Sequence, residues 1–284
     1  MKKIIKYLFL LTGGSFILAS CNDFLDREPL DSVTPDNFFF TENDLAAYAV
    51  KHYNFTTHEG FNAGIWKNDN ATDNQAATDY DKKWIPGQWK VPEAYDNPAS
   101  NDPWYFSTIR EANYFLETVV PRFEKGEIEG SETNIKHYIG EMYFLRAKNY
   151  LSKLETFGDF PIIKNTLPDE SESLIQASKR APRYKVAHFI LEDLDQAISL
   201  LTNNISGGKN RITKNAALLL KSRAALFEAS WLTYHKGTAL VPGGPGWPGK
   251  AEDIADFNID TEIAFFLKEA KAAAKEVIGN AALV

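Results

Sequence analysis

Residues 140–163 read GEMYFLRAKNYLSKLETFGDFPII, and their spacing decides the fold. Together with SETNIKHYI before them, they set Ile135, Tyr138, Ile139, Met142, Tyr143, Ala147, Tyr150, Leu151 and Leu154 on one face of a helix that starts at Ser131. That stripe has the helical period and not the alternation of a strand. Gly158 is well placed to close the helix, because glycine takes the left-handed conformation there without steric cost. FPII (160–163) then leaves as extended chain.

Working outward, the same pattern returns. Tyr143-x-x-Arg146-Ala147-x-x-Tyr150 matches Leu220-x-x-Arg223-Ala224-x-x-Phe227 at an offset of 77 residues. Ile190-Leu191-x-x-Leu194-x-x-Ala197-Ile198 matches Phe266-Leu267-x-x-Ala270-x-x-Ala273-Ala274 at an offset of 76. Two helices that recur together make a helix pair the repeating unit. Small alanines on both members allow close antiparallel packing, as in tetratricopeptide hairpins. Insertions at 158–181 and 232–259 lengthen the unit well beyond the usual period of about 34 residues.

Local signals predict the remaining helices. Thr41-Glu42-Asn43-Asp44 supplies a cap and an early acid for a helix to about Tyr53. Asp102-Pro103 reads as an N-cap and first-turn proline, with Trp104, Thr108, Ile109, Ala112, Phe115, Leu116 and Val119 on the apolar face that follows. On that reading Trp104 is a core residue. Further helices run from about Pro182 to Leu201, onward from Thr213, and from about Asp260 to Ile278, ended by Gly279. The fold class is therefore mainly α: a tetratricopeptide-like scaffold of helical hairpins with long irregular insertions. Residues 56–101, rich in Asn, Asp, Gly and Pro, carry no sustained period, and loops of that length are usually functional or disordered.

The first twenty residues stand apart from the fold. Lys2, Lys3 and Lys6 precede a short apolar run that ends in Leu18-Ala19-Ser20-Cys21, the pattern of a secretory signal too short to remain as a membrane span. Its end resembles the bacterial lipobox, in which the cysteine receives diacylglycerol, and Cys21 is the only cysteine in the chain. A mature chain beginning there has no thiol left for disulfides. Loss of the three lysines makes the formal charge of −7 more negative still, an argument against nucleic acid as a partner. The start CNDFLDRE resembles the surface-export signal of Bacteroidetes lipoproteins, so the chain is expected to be lipid-anchored in the outer membrane, facing outward. Residues 21–40 then form a tether that becomes a docked arm, and 41–284 the helical domain.

No catalytic pattern is legible. There is no Gly-x-Ser-x-Gly elbow, Walker loop or Rossmann glycine pattern. PGGPGWPGK (242–250) ends in Gly-Lys, but prolines interrupt it and no Ser or Thr follows, so it reads as a turn-rich insertion. His188 and Glu192 share i, i+4 spacing, a weak metal signal by itself. NDNATDNQAATDYD (68–81) superficially resembles a calcium loop, yet counted from Asp69 the glycine at position six and the glutamate at position twelve are absent. No metal and no cofactor is expected. A carboxylate pair for glycoside hydrolysis cannot be read from sequence, since separation in space is invisible there.

Aromatic surface remains. Trp66, Trp84, Trp89 and Trp104 are four of the six tryptophans. Trp84, Trp89 and Tyr95 lie on Pro/Gly-broken chain beside Asn68, Asp69, Asn70, Asp73 and Gln88. Rings that stack on sugar C–H faces, next to amides and carboxylates that bond hydroxyls, suit a glycan. The competing reading is that these rings pin a long loop to the helices.

Several segments in order resemble the SusD/RagB family of nutrient-binding outer-membrane lipoproteins of Bacteroidetes. They are Cys21 with FLDREPLDSVTPDNFF (24–39), WYFSTIREANYFLE (104–117), GEMYFLRAKNYLSKLETFGDFPII (140–163), APRYKVAHFILEDLDQAISLL (181–201), and the stretch from Arg211 to Ser230, where Lys209-Asn210-Arg211 stands for the family's Gly-Arg. The resemblance implies a helical scaffold bearing an irregular ligand-binding region, oligosaccharide as ligand, and a TonB-dependent transporter (SusC-like) as partner. It implies no catalytic residues. A peptide ligand, as in the RagB branch, or a surface glycoside hydrolase are the alternatives. Members continue for about as much chain again, so the resemblance implies an N-terminal portion, and an isolated half of such a scaffold would leave an apolar flank exposed.

Overall fold

In the computed structural model the scaffold is built outward from the quoted stretch, which lies in a helix running Glu132–Phe157. The structure describes residues 38–53, 55, 104–205 and 210–280. The chain divides into residues 1–38 and a unit from Phe39 onward, and the scaffold belongs to the second of these. Among the described residues the α-helices, in chain order, are α1 (Glu42–Lys51), α2 (Ser107–Glu124), α3 (Glu132–Phe157), α4 (Ser171–Ala177), α5 (Arg183–Leu200), α6 (Lys214–Tyr234) and α7 (Ile259–Asn280). Two isolated bridges, Thr41 with Glu129 and Phe160 with Ala181, are the extended pairings there.

The repeat is a pair of hairpins. α3 packs on α5, α5 on α6, and α6 on α7, with α2 and α1 against α3. Antiparallel order follows from the end contacts. Lys214 at the start of α6 meets Glu276 near the end of α7 at 2.9 Å, and Lys236, just past α6, meets Asp260 at 2.5 Å. Ala147, Ala197, Ala224 and Ala273, the small residues of the repeat, are buried. Leu219 and Leu226 on α6 and Leu267 and Ile278 on α7 stand exposed.

Local chemistry sets most helix ends. Thr41 Oγ1 accepts from Asp44 N–H at 3.3 Å while Asp44 Oδ2 accepts from Thr41 N–H at 3.0 Å, a reciprocal capping box. Thr213 caps α6 through Ala216 N–H. Gly158 ends α3 at φ 72°. Ser131 precedes α3, but its side chain makes no capping bond. The Glu42 carboxylate takes its place, accepting from Ser131 N–H at 2.8 Å and from Asn134 Nδ2 at 3.2 Å, so α1 caps α3 from outside.

Two boundaries and one added helix differ from the sequence reading. α2 begins at Ser107 with Phe106 as its N-cap, not at Asp102-Pro103, which lie outside the described residues. Lys153 Nζ donates to the Tyr105 carbonyl at 3.2 Å, a contact across 48 residues that holds the approach to α2 in a non-helical course. α7 runs through Gly279 to Asn280, a glycine cost of about 1 kcal/mol being tolerable so near a helix end. Insertion 158–181 also holds α4, a short helix with no buried residue and hence no periodic signal to detect.

Arg146 on α3 is the hub. Its Nε and Nη2 donate to both oxygens of Asp193 on α5 at 2.8 and 2.7 Å, and Nη1 donates to Asn113 Oδ1 on α2 at 2.8 Å. Asn113 Nδ2 in turn donates to the Ile163 carbonyl at 2.9 Å, and Tyr150 OH accepts from Ile163 N–H at 2.8 Å. One buried network thus fixes two helices and the extended FPII segment against α3. A second node docks α1. Glu141, fully buried, accepts from Tyr53 OH at 2.7 Å and from Arg211 Nε at 2.8 Å, and Arg211 Nη1 reaches the Ala46 carbonyl. His137 Nδ1 accepts from Thr202 N–H, which leaves a neutral ring its proton on Nε2, 3.2 Å from Glu141 Oε1 but off hydrogen-bond alignment.

Candidate functional site

The residues that sequence reasoning assigned to ligand, Trp84, Trp89, Tyr95, Asn68, Asp69, Asn70, Asp73 and Gln88, lie outside the described residues, as does Cys21. What the structure does place are the chain segments on either side of 56–103. The end of α1 (Lys51, His52) and the approach to α2 (Tyr105, Ser107) come together over the middle of α3.

Between them lies a hollow of about 290 Å³ that also includes Glu111 and Asn149. His52 is its unusual member. Its side chain is 9% exposed, Nδ1 stands 3.5 Å from Glu111 Oε2, and Nε2 is buried with no hydrogen-bond partner among the described residues. Lys51 Nζ approaches the other Glu111 oxygen at 3.6 Å. A buried polar atom without a partner costs about 1–3 kcal/mol, so a group that satisfies it binds with that advantage. With Nδ1–H toward Glu111, the buried Nε2 keeps a lone pair that no described group meets, and the part-exposed Glu111 carboxylate offers an acceptor to a hydroxyl-bearing ligand. Burial also depresses Lys148, on the same wall, below the usual lysine range.

Burial lowers the His52 pKa from its ordinary 6.5, with Glu111 opposing and Lys51 assisting. The unfolded chain therefore holds more protons than the folded one between the folded value and about 6.5, and stability rises with pH through that window. The stability gained by a neutral His52 is present above about 6.5 and lost as pH falls through it. Urea midpoints measured at pH 5.5 and 7.5 are expected to fall less on acidification in His52→Gln than in the parent chain. Equal falls in both would remove His52 as the cause.

A second hollow, about 370 Å³ and mostly apolar, opens on the other side of the approach to α2 between Trp104, Phe106, Ile109, Ile163, Leu167 and Leu174. Trp104 is half-buried and precedes the helix instead of lying within it. Its ring packs 4.4 Å from Phe157 and 5.5 Å from Phe160, with the Arg180 guanidinium 4.8 Å away. Trp104 is thus both part of the packing and part of a cavity wall.

The remaining chemical suggestions separate. His188 Nε2 bonds Glu262 Oε2 at 2.7 Å, while Glu192 pairs with Lys164 at 3.3 Å, so the two do not converge on a metal. Among the described residues no group of three His, Cys, Asp or Glu side chains is placed to hold an ion. PGGPGWPGK does fold as successive turns. Sequence reasoning did not find the His52 hollow. A lone histidine near a helix end gives no signal until Glu111 and Tyr105 are brought to it.

Residues 23–226 match the SusD-like family described as "Starch-binding associating with outer membrane", and the chain belongs to that family. Two relatives from Formosa agariphila are similar to it. SusD-like protein P38 is 27% identical over 70% of this chain and 37% of its own length, and SusD-like protein P2 is 26% identical over 88% and 45%. The chain thus spans less than half the length of these relatives. Among solved structures, a SusD-like protein from Bacteroides fragilis aligns over 72% of this chain and 38% of its own, at 24% identity and TM-score 0.46.

Proposed function

We propose that this chain is the glycan-capturing part of a lipid-anchored outer-membrane lipoprotein that passes oligosaccharide to a TonB-dependent transporter. The family match over residues 23–226 carries the proposal. Local chemistry supports it. Trp84, Trp89 and Tyr95 offer stacking faces among amides and carboxylates, and the polar hollow beneath His52 opens where the chain leaves for and returns from that stretch. Cys21 is the lipid acceptor, and residues 21–40 the tether. The chain binds without turning its ligand over, concentrating sugar at the mouth of the transporter.

Calorimetric titration with maltohexaose, laminarihexaose and xyloglucan oligosaccharides tests the binding. Trp84→Ala, Trp89→Ala and Tyr95→Ala are each expected to weaken it about 3- to 10-fold, the worth of one aromatic contact. Unchanged affinity in all three would overturn the stacking platform, and hydrolysis of any of these sugars by the purified chain would overturn the non-enzymatic reading. Binding of peptides but of no sugar would favour the RagB-like alternative. Cys21→Ala is expected to move the protein from the membrane fraction to the soluble one.

A further inference from the structure

A third hollow lies away from the stretch 56–103, where the end of α3 meets the two insertions. Its volume is about 340 Å³, within the range of small-molecule sites. Trp231 at the end of α6 and Trp247 in the second insertion form part of its wall. Both indoles are locked by their N–H groups, Trp231 Nε1 donating to the Leu240 carbonyl at 3.0 Å and Trp247 Nε1 to Asp159 Oδ2 at 2.9 Å. Gly249 packs so tightly on Trp247 that a Cβ there would fall 2.1 Å from Cη2, so the ring cannot swing that way. The Arg183 guanidinium lies 4.2 Å over the Trp231 ring and His235 packs 4.3 Å from it, so Trp231 offers the hollow a fixed ring edge, and Trp247 contributes fixed hydrocarbon surface.

Unspent polar capacity converges on the same space. Arg183, only 3% exposed, commits Nε and Nη2 to Glu228, while Nη1 makes no hydrogen bond among the described residues and lies beside Gly158 on the wall. The Arg180 guanidinium lies over the Trp104 ring, and Glu155 forms no ion pair at bonding distance among the described residues. Partial desolvation at the wall pushes the Glu155 carboxyl up although the side chain keeps contact with solvent, and the charge of Arg223 opposes the shift. A mere packing gap would be lined by hydrocarbon and stay dry. This hollow instead pairs two tryptophans with two carboxylates, Glu155 and Asp159, and two guanidinium groups. Glu228 neutralises Arg183, and Glu155 and Asp159 together outweigh Arg180, so the site has no excess positive charge to attract an anion. Fixed aromatic surface beside balanced donors and acceptors suits a neutral, polyhydroxylated ring.

We propose that the hollow formed by Trp231, Trp247, Glu155, Arg180 and Arg183 is a second carbohydrate site, taking one end of a neutral oligosaccharide. It rests on the glycan-binding reading for the class of ligand, and on its own geometry for the place. Sugar C–H groups lie against Trp247 and the edge of Trp231, Arg183 Nη1 and Arg180 donate to hydroxyl oxygens, and Glu155 accepts from a hydroxyl.

The test uses the chain labelled with ¹⁵N-tryptophan, with its six indole N–H signals assigned, and maltotriose, cellotriose and laminaritriose as probes. The Trp231 and Trp247 signals are expected to shift saturably with at least one of these sugars. Glu155→Gln and Arg180→Ala, both changes at exposed side chains, are expected to weaken that response at least fivefold without altering any Trp84 or Trp89 response. Shifts at Trp84 and Trp89 with none at Trp231 or Trp247 would overturn the second site and leave the proposed function standing. Shifts at Trp231 and Trp247 that neither variant weakens would also overturn it. Silence of all six indoles would overturn both.

Discussion

Arg146→Ala is expected to destabilise the folded unit by about 3–5 kcal/mol, the cost of removing one partner from a buried ion pair. The substitution leaves Asp193 buried on α5 without its bidentate donor, and Asn113 Oδ1 without its N–H. Burial already pushes the Asp193 carboxyl up and Arg146 pulls it back, so in the variant the upward push acts almost alone. A folded-state pKa above the unfolded one means that the folded variant binds the extra proton, and its stability falls as pH rises through the window between them. The deficit relative to the parent chain should therefore shrink on acidification. Chemical unfolding of Arg146→Ala, Asp193→Ala and the double variant at pH 5 and 7.5 measures this. The double variant is expected to lose less than the sum of the singles by at least about 1 kcal/mol. Strict additivity would mean that the pair contributes nothing beyond its separate residues.

The same network shows where sequence reasoning stops. FLRAKNY and FGDFP were legible as a helix and its exit because caps, period and glycine act within a few residues. The repeat at offsets of 76 and 77 was legible because a hairpin must bury the same face each time. Arg146 was visible as part of that repeat, but not what it holds: Asp193 lies 47 residues away and Asn113 33 away, in helices whose own patterns are amphipathic with or without them. Nor does the network recur. Arg223, the counterpart of Arg146, is exposed, and the counterpart of Asp193, Glu269, pairs with Lys221 at 2.7 Å. Backbone periodicity is shared by the hairpins, whereas the charge pairing depends on α2 covering the first of them.

The site was less legible for a related reason. Aromatic residues on broken chain drew notice to 84–95, because composition is a local signal. Trp231 and Trp247 drew none: the first looks like the end of an amphipathic helix, and the second sits among glycines and prolines. Their value comes from Asp159 and Arg183, delivered by the first hairpin to the same corner. Arg183 also carries the ion pair between α5 and α6, so a structural bond orients the donor aimed at the hollow. In both places the scaffold's buried charges decide what its surface presents.

Phe39→Ala is expected to cost about 3–5 kcal/mol, as for other fully buried aromatics. The ring fills a cage of aromatics, 5.1 Å from Tyr48 on α1 and 5.3 Å from Phe115 on α2, and so locks the chain just before α1 to the first helices. It does so from an unfavourable backbone. Phe39 has φ 70°, in the region where a side chain costs about 1–2 kcal/mol per residue. The chain accepts that strain because the carbonyl of the next residue, Phe40, receives Glu129 N–H at 2.7 Å and Glu42 N–H donates to the Glu129 carbonyl at 2.8 Å. These bonds fix the path and leave Phe39 to turn back into the cage. Two terms thus oppose each other at one residue, and Phe39→Gly separates them. Glycine loses the ring as alanine does but removes the left-handed penalty, so it should be no less stable than Phe39→Ala and more stable by up to about 1 kcal/mol. Elsewhere in a fold the order is the reverse, glycine being the worse replacement. Thermal or urea unfolding of the two variants side by side reads the sign directly. Alanine more stable than glycine would mean that the turn at Phe39 is not held in solution, and that the ring reaches its cage by another backbone path.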